Sequence, residues 1–174
     1  MKIKDKSFKI LIQEEDLQNK IAKMAEAINL DFKGKSPLFI GILNGSFMFV
    51  GDIMKHISLP CKVSFIKVAS YNEMESSGSV RELIGLSENI FKQDVIILED
   101  IIDSGTTMSS VIDQFKERGA SSVTVATLLL KPKALKINLD IKYIGFEIDN
   151  KFVVGYGLDY DGLGRNTGAI YQLK

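Results

Sequence analysis

The sequence predicts an α/β domain built on a mainly parallel, twisted sheet with helices on both faces. Three observations lead there. Short apolar runs, LFIGIL at 38–43, VIILE at 95–99 and SVTVATLLL at 122–130, read as strands buried on both sides. Segments whose apolar residues recur at helical spacing lie between them, and that alternation is the signature of strands joined by covering helices. The 174 residues suffice for one sizeable core, and no repeat, low-complexity tract or Pro/Ser-rich linker divides them.

Taken in order, Glu14, Glu15 and Asp16 form an acidic helix start, and Leu17, Ile21, Met24 and Ile28 fall on one face of that helix. Pro37 introduces LFIGIL, and a tight Asn44-Gly45-Ser46 turn leads into a helix with Phe47, Val50, Met54 and Ile57 as its expected apolar face. Residues 62–70 form the next expected strand. YNEMESSGSVRE follows, polar and long for a plain connection, a composition suited either to a lid over a site or to an ordinary surface loop. After VIILE, TTMSSVIDQFKERG is amphipathic through Met108, Val111, Ile112 and Phe115, and Gly119 supplies its stop. SVTVATLLL, KYIGFEI and FVVGY complete the expected strands.

Composition excludes several function classes. Lys plus Arg and Asp plus Glu are equal at 22 each, so there is no electrostatic reason to expect nucleic acid or an anionic membrane as partner. Cys61 is the single cysteine, which rules out an intrachain disulfide or a cysteine zinc cluster and suits a reducing compartment. MKIKDKSFKI has no continuous apolar region and no run of 18 apolar residues occurs, so a cytoplasmic setting is expected. His56 falls near the end of an expected helix, where a cap or surface role outweighs catalysis. Cys61 has no evident activating partner, and the six methionines suit core filling.

The chemistry concentrates in VIILEDIIDSGTT, residues 95–107. An expected strand ends at Glu99-Asp100, and Asp103-Ser104-Gly105-Thr106-Thr107 opens the following helix. Ligands of open α/β sheets bind beyond the carboxyl ends of the strands. Backbone N–H groups and hydroxyls at a helix start can cradle a phosphate, and Gly105 permits close approach. Two carboxylates beside a phosphate cradle make sense if the ligand also carries ribose hydroxyls or a magnesium ion. The competing reading is a helix capped by Asp103 or Ser104 with a solvated acidic pair.

EDIIDSGTT resembles the phosphoribosyl pyrophosphate loop of the type I phosphoribosyltransferases, and the surrounding chain resembles the hypoxanthine-guanine phosphoribosyltransferase family. Four further blocks follow the family's order: Leu43-Asn44-Gly45-Ser46 with FMFVGD, Ser70-Tyr71, Lys131-Pro132, and FVVGYGLDY from Phe152 to Tyr160. Together they run from about residue 38 to 165. The resemblance implies one phosphoribosyltransferase domain over 1–174, with a mobile catalytic loop at about 71–81 and a small purine-binding hood at about 150–174. It implies purine salvage: transfer of 5-phosphoribosyl to hypoxanthine or guanine, giving IMP or GMP and pyrophosphate.

The resemblance also implies roles. Glu99 and Asp100 would hold the ribose hydroxyls, directly or through Mg2+, and Ser104, Gly105, Thr106 and Thr107 would bind the 5-phosphate. Asp103 would accept the N7 proton as the base attacks the anomeric carbon, which a nearby carboxylate can both assist and stabilise. Lys131 would donate to the 6-oxo group, Phe152 would stack on the base, and the Val153 backbone would read its edge. Asp159 would bind a second Mg2+ through water, near the exocyclic position of guanine, and Arg165 would approach pyrophosphate. Asn44 and Gly45 would serve pyrophosphate through the backbone, since Asn44 and Thr106 stand where some relatives carry basic residues. Ser70 and Tyr71 would contact pyrophosphate oxygens. Family members are dimers or tetramers, so a homo-oligomer is expected. The rival readings are a xanthine-preferring enzyme and a sensor of the activated sugar that binds nucleic acid; balanced charge and short length disfavour the second.

Overall fold

In a computed structural model, which describes residues 1–69, 81–86 and 88–174, the apolar runs of the sequence form the spine of a six-stranded sheet. The elements are β1 Lys2–Ile3, β2 Lys6–Ile12, α1 Glu14–Asp31, β3 Leu38–Leu43, α2 Phe47–Met54, β4 Lys62–Ala69 and β5 Arg81–Ile84. There follow β6 Asp94–Ile102, α3 Thr106–Glu117, β7 Ser122–Leu130, β8 Tyr143–Glu147, β9 Val153–Val154 and β10 Ile170–Leu173. The large sheet runs β5-β4-β3-β6-β7-β8, parallel at every pairing except β4 with β5.

Alternation along each strand sends side chains to two cores. Phe39, Ile96, Leu98, Ala126 and Leu128 join the cluster containing residues of α1 and α2, while Leu38, Ile40, Val95, Ile97 and Val125 join the one containing residues of α3. The face expected for α1 is the buried one: Leu17, Ile21, Met24 and Ile28 are all buried. Each such side chain contributes about 1.5–3 kcal/mol by leaving water.

The face expected for α2 needs correction. Phe49, Val50 and Ile53 are buried, Phe47 is exposed and Ile57 lies past the helix end. The mainly apolar sequence FMFVGDIM offered several faces, and the one pressed on the sheet is rotated from the expected one. Gly119 ends the turn after α3 with φ +79°, as its position suggested.

A second sheet, ordered β1-β2-β10-β9, ties residues 2–12 to residues 153–173. Its N-terminal strands escape a reading by pattern because β2 buries only Phe8 and Ile12. FVVGY contributes only the short β9, and the chain beyond turns repeatedly, with positive φ at Gly155, Tyr156, Gly157, Asp161, Gly162 and Gly164. No helix among the described residues is long and apolar enough to cross a membrane.

Candidate active site

Chain order doubles back between β3 and β6: β3 is followed outward by β4 on one side, β6 by β7 on the other. The ends of β3 and β6 thus flank a topological switch point, where open α/β sheets bind ligands. A cavity of about 240 Å³ opens there. Gly45, Glu99, Asp100, Asp103, Ser104, Gly105 and Thr107 line it, and Ile42, Val68, Met108 and Val111 supply apolar wall.

The strand is longer than expected and continues through Ile102, so the acidic pair lies within it rather than at its end. Asp100 is only 8% exposed, and its Oδ1 accepts from the Ile101 N–H at 2.9 Å. Glu99 Oε2 is buried and has no hydrogen-bond partner among the described residues. Burial pushes Asp100 up to about 6, against the pull of its hydrogen bonds and of the Arg165 charge. Burial, and then the neighbouring Asp100 carboxylate, drives Glu99 well above the ordinary range. An orphaned carboxylate oxygen in a doubly shifted pair is a site short of donors or positive charge. Hydroxyls of a sugar or a divalent cation fit that need. No cluster of three or more His, Cys, Asp or Glu occurs among the described residues, and Mg2+ accepts few carboxylates when ligand oxygens and water complete its shell.

At the start of α3 the helix is entered by Gly105 in the left-handed region, φ +81°, and Ser104 Oγ accepts from the Thr106 N–H at 3.4 Å. The N-cap position itself falls on glycine rather than on Asp103 or Ser104, although Ser104 still takes one first-turn N–H. A Cβ on residue 105 would lie 2.8 Å from Leu139 Cδ1, so glycine serves both the conformation and the close packing. Ser104 Oγ also meets Thr106 Oγ1 at 3.2 Å.

Asp103 is instead held by Lys131, whose Nζ donates to Asp103 Oδ2 at 2.7 Å. The lysine side chain is 10% exposed and the carboxylate 53%. The Lys131 N–H also bonds Ile102 O at 3.0 Å, which docks the end of β7 beside the end of β6. The expected base-reading lysine and the expected proton acceptor are therefore one contact pair.

Phe152, Val153, Asp159 and Arg165 sit on the hood side. Asp159 is paired with Arg165 at 2.5 Å and accepts from the Gly162 N–H at 2.7 Å. Arg165 also donates to Gly157 O at 2.6 Å. Phe152 is 43% exposed and meets Tyr160 edge-on, with centroids 5.9 Å apart, while Val153 is buried in the main core. Asn44 follows the cis Leu43–Asn44 peptide at the end of β3, and Thr106 opens α3; neither lines the cavity. Ser70, Tyr71 and all of the expected 71–81 loop except Arg81 lie outside the described residues.

The hood reaches the cavity through two glycines. A Cβ on residue 157 would lie 1.9 Å from Gly45 O, and one on residue 45 would lie 1.6 Å from Asp100 Oδ2. Reading by motif missed two residues behind this stack. Tyr156 is 1% exposed, and its hydroxyl donates to Asp52 Oδ2 at 2.5 Å. The signal available was a lone acid in the apolar segment FMFVGDIM and a tyrosine between two glycines.

A family model for the phosphoribosyl transferase domain matches residues 11–161. The hypoxanthine-guanine phosphoribosyltransferase of Staphylococcus epidermidis is 42% identical over 166 residues, 95% of this chain and 93% of that protein. The bifunctional protein TilS/HprT of Listeria monocytogenes is 40% identical over 167 residues; that is 95% of this chain, which spans only 26% of that larger protein. A crystal structure of a hypoxanthine-guanine phosphoribosyltransferase from Bacillus anthracis superposes with TM-score 0.92 at 38% identity, covering 97% of this chain and 100% of that one. The parallel sheet with its flanking helices is thus shared architecture, and this chain belongs to the phosphoribosyltransferase family.

Proposed function

We propose that this chain is a purine-salvage enzyme that transfers 5-phosphoribosyl from phosphoribosyl pyrophosphate to hypoxanthine or guanine, giving IMP or GMP and pyrophosphate. One observation carries the choice of base. Lys131 Nζ and Asp103 Oδ2 lie 2.7 Å apart beside the cavity. A 6-oxopurine presents O6 and N7 side by side on one edge. A base docked by that edge meets a donor at O6 and a carboxylate at a protonated N7. Adenine offers an amino group where Lys131 needs an acceptor.

In this reading, Ser104, Gly105, Thr106 and Thr107 bind the 5-phosphate, and Glu99 and Asp100 accept from the ribose hydroxyls. As the bond from the purine nitrogen to the anomeric carbon forms, the bond from that carbon to the pyrophosphate oxygen breaks. The N7 proton passes to Asp103, whose charge also offsets the positive character of the ribose. Phe152 covers the base, the Val153 backbone reads its edge, and Asn44, Gly45, Ser70, Tyr71 and Arg165 serve pyrophosphate. Glu99, Asp100 and Asp159 would hold Mg2+, which when bound neutralises charge on the leaving pyrophosphate. The hood over about 150–174 and the loop at about 71–81 exclude water from the activated ribose. A cytoplasmic setting and assembly as a dimer or tetramer complete the proposal, the first from the lone Cys61 and the second from the resemblance.

The test is nucleotide formation by purified protein with phosphoribosyl pyrophosphate and Mg2+, offered hypoxanthine, guanine, xanthine and adenine separately. Hypoxanthine and guanine should react and adenine should not. Asp103→Asn should lower kcat by about 10²–10⁴-fold. If no base reacts while the activated sugar still binds, the proposal is wrong.

A further inference from the structure

Asp52 joins three parts of the molecule that the proposed reaction does not otherwise connect. It projects from α2, and its side chain is 18% exposed. Oδ2 accepts from Gln18 Nε2 of α1 at 2.7 Å and from the Tyr156 hydroxyl at 2.5 Å, while Oδ1 accepts from Lys55 Nζ at 2.7 Å. Two neutral donors and one ammonium on a single carboxylate make it a well-satisfied hub.

Tyr156 is an unusual residue to find at this position. Its φ is +49°, between Gly155 at +101° and Gly157 at +97°, so the only side chain in a three-residue left-handed run is a fully buried tyrosine. The glycines meet the conformation without cost, and the tyrosine does not. Its backbone N–H bonds Thr167 O at 3.0 Å, and the next N–H, of Gly157, bonds Arg165 O at 2.9 Å. The buried ring thus carries the turn to the helices, and Asp52 holds its tip.

What the lever positions is the contact below it. Gly157 rests on Gly45 O, and Gly45 rests on Asp100 Oδ2, at separations that leave no room for a Cβ on either residue. Gly157 O also takes the hydrogen bond from Arg165 that accompanies the Arg165–Asp159 pair. A shift of Tyr156 therefore moves Gly45, Asp100 and Arg165 together. All three belong to the proposed pyrophosphate and ribose contacts, whereas Lys131 is assigned to the purine.

We propose that Asp52, acting through the buried hydroxyl of Tyr156, is a positioning residue that sets the 155–159 turn against Gly45 and Asp100, and so sets affinity for the phosphoribosyl donor. This rests on the phosphoribosyl-transfer reading above. Neither residue touches substrate. Their effect travels through the two-glycine contact and falls on the donor rather than on the purine.

The experiment is steady-state kinetics of Tyr156→Phe, Asp52→Asn, Gly157→Ala and the Tyr156→Phe/Gly157→Ala double variant, with wild type in parallel. Tyr156→Phe keeps the ring and removes only the hydroxyl. It should raise KM for phosphoribosyl pyrophosphate about 5–20-fold while leaving KM for hypoxanthine within about twofold. Asp52→Asn should act in the same direction. Gly157→Ala should give the larger donor KM, and the double variant should match Gly157→Ala rather than the product of the two, since both act through one contact. A Tyr156→Phe protein with lowered Tm but unchanged donor KM would reduce the hub to a structural role and overturn the proposal. Equal rises in both KM values, or multiplicative effects in the double variant, would overturn it too. An inactive wild type would instead defeat the transferase reading, so the two failures are distinct.

Discussion

The cavity and the hood position their groups by different means. At the cavity, Glu99, Asp100, Asp103, Ser104, Gly105 and Thr107 come from one continuous strand, turn and helix, and parallel neighbours β3 and β7 hold that strand on both sides. At the hood, Phe152, Asp159 and Arg165 sit just before and after a two-residue strand, among a series of turns. They are fixed by one another and by the distant N-terminus: Tyr160 donates to Asp5 at 2.9 Å, Lys4 pairs with Asp161, and Lys6 lies 4.4 Å from the Tyr160 ring centroid. Electrostatics diverge as well. Asp100 and Glu99 are pushed up by burial, whereas three donors pull Asp52, behind the hood, below the ordinary range despite its burial. The cavity holds an unmet demand for donors; the hood has met its own internally.

The largest effect should come from that unmet demand. Asp100 titrates near 6 in the fold and near 3.8 ordinarily, so the native state keeps its proton to higher pH than the unfolded chain does. The associated stability is fully present below about pH 4 and is lost as pH rises through about 6, on the order of 3 kcal/mol, with Glu99 adding in the same sense. Thermal melts in chelator should show Tm falling by several degrees between pH 4.5 and 7.5. Asp100→Asn should flatten that decline, and phosphoribosyl pyrophosphate with Mg2+ should raise Tm more at pH 7.5 than at pH 5. On the hood side the sign reverses. The stability that Asp52 contributes is present above its ordinary pKa of 3.8 and is lost only as pH falls below it. A flat profile in chelator would remove the electrostatic half of the contrast.

Next in size is the junction of the two regions. Gly45→Ala places a Cβ against a buried carboxylate, a collision of the kind that costs about 1–3 kcal/mol. The expected result is a loss of about 10–100-fold in kcat/KM for the activated sugar; unchanged kinetics would mean the turn relaxes freely. Phe152→Leu tests the hood alone. Phe152 is 43% exposed, so Tm should barely move while KM for the purine rises about tenfold, as for a lost stacking partner. A fall in Tm with unchanged KM would recast Phe152 as packing for Phe8 and Tyr160.

How much of this was legible follows from the same contrast. The cavity was readable because its residues are contiguous: a β-branched run, an acidic pair and a small polar turn state the strand, the switch point and the cradle within 13 residues. Even there, the extension of β6 to Ile102, the glycine entry to α3 and the Lys131–Asp103 pair required coordinates, since each is decided by packing between β6, β7 and the segment near Leu139. The hood was readable only by resemblance. Phe152 depends on Phe8, and Tyr156 depends on Asp52, which is 104 positions away. No local pattern announces such partners. β2 in particular buries residues four apart, which gives neither the period of a strand with one buried face nor a helix in the event.

The smallest effect tests whether α2 matters to the hood through its geometry or merely through its stability. Gly51 precedes Asp52 on α2, and a Cβ there would meet nothing within 4 Å. Gly51→Ala should therefore stabilise the protein by about 0.4–1 kcal/mol, by restricting the unfolded chain, and raise Tm by a few degrees at most. It leaves the Asp52 carboxylate, the Tyr156 hydroxyl and the glycine contact as they are, so KM for phosphoribosyl pyrophosphate should not change. If stiffening α2 alone altered that KM, the helix would be acting as a moving part. The positions of Gly45 and Asp100 would then reflect an equilibrium of α2 rather than the fixed reach of one tyrosine.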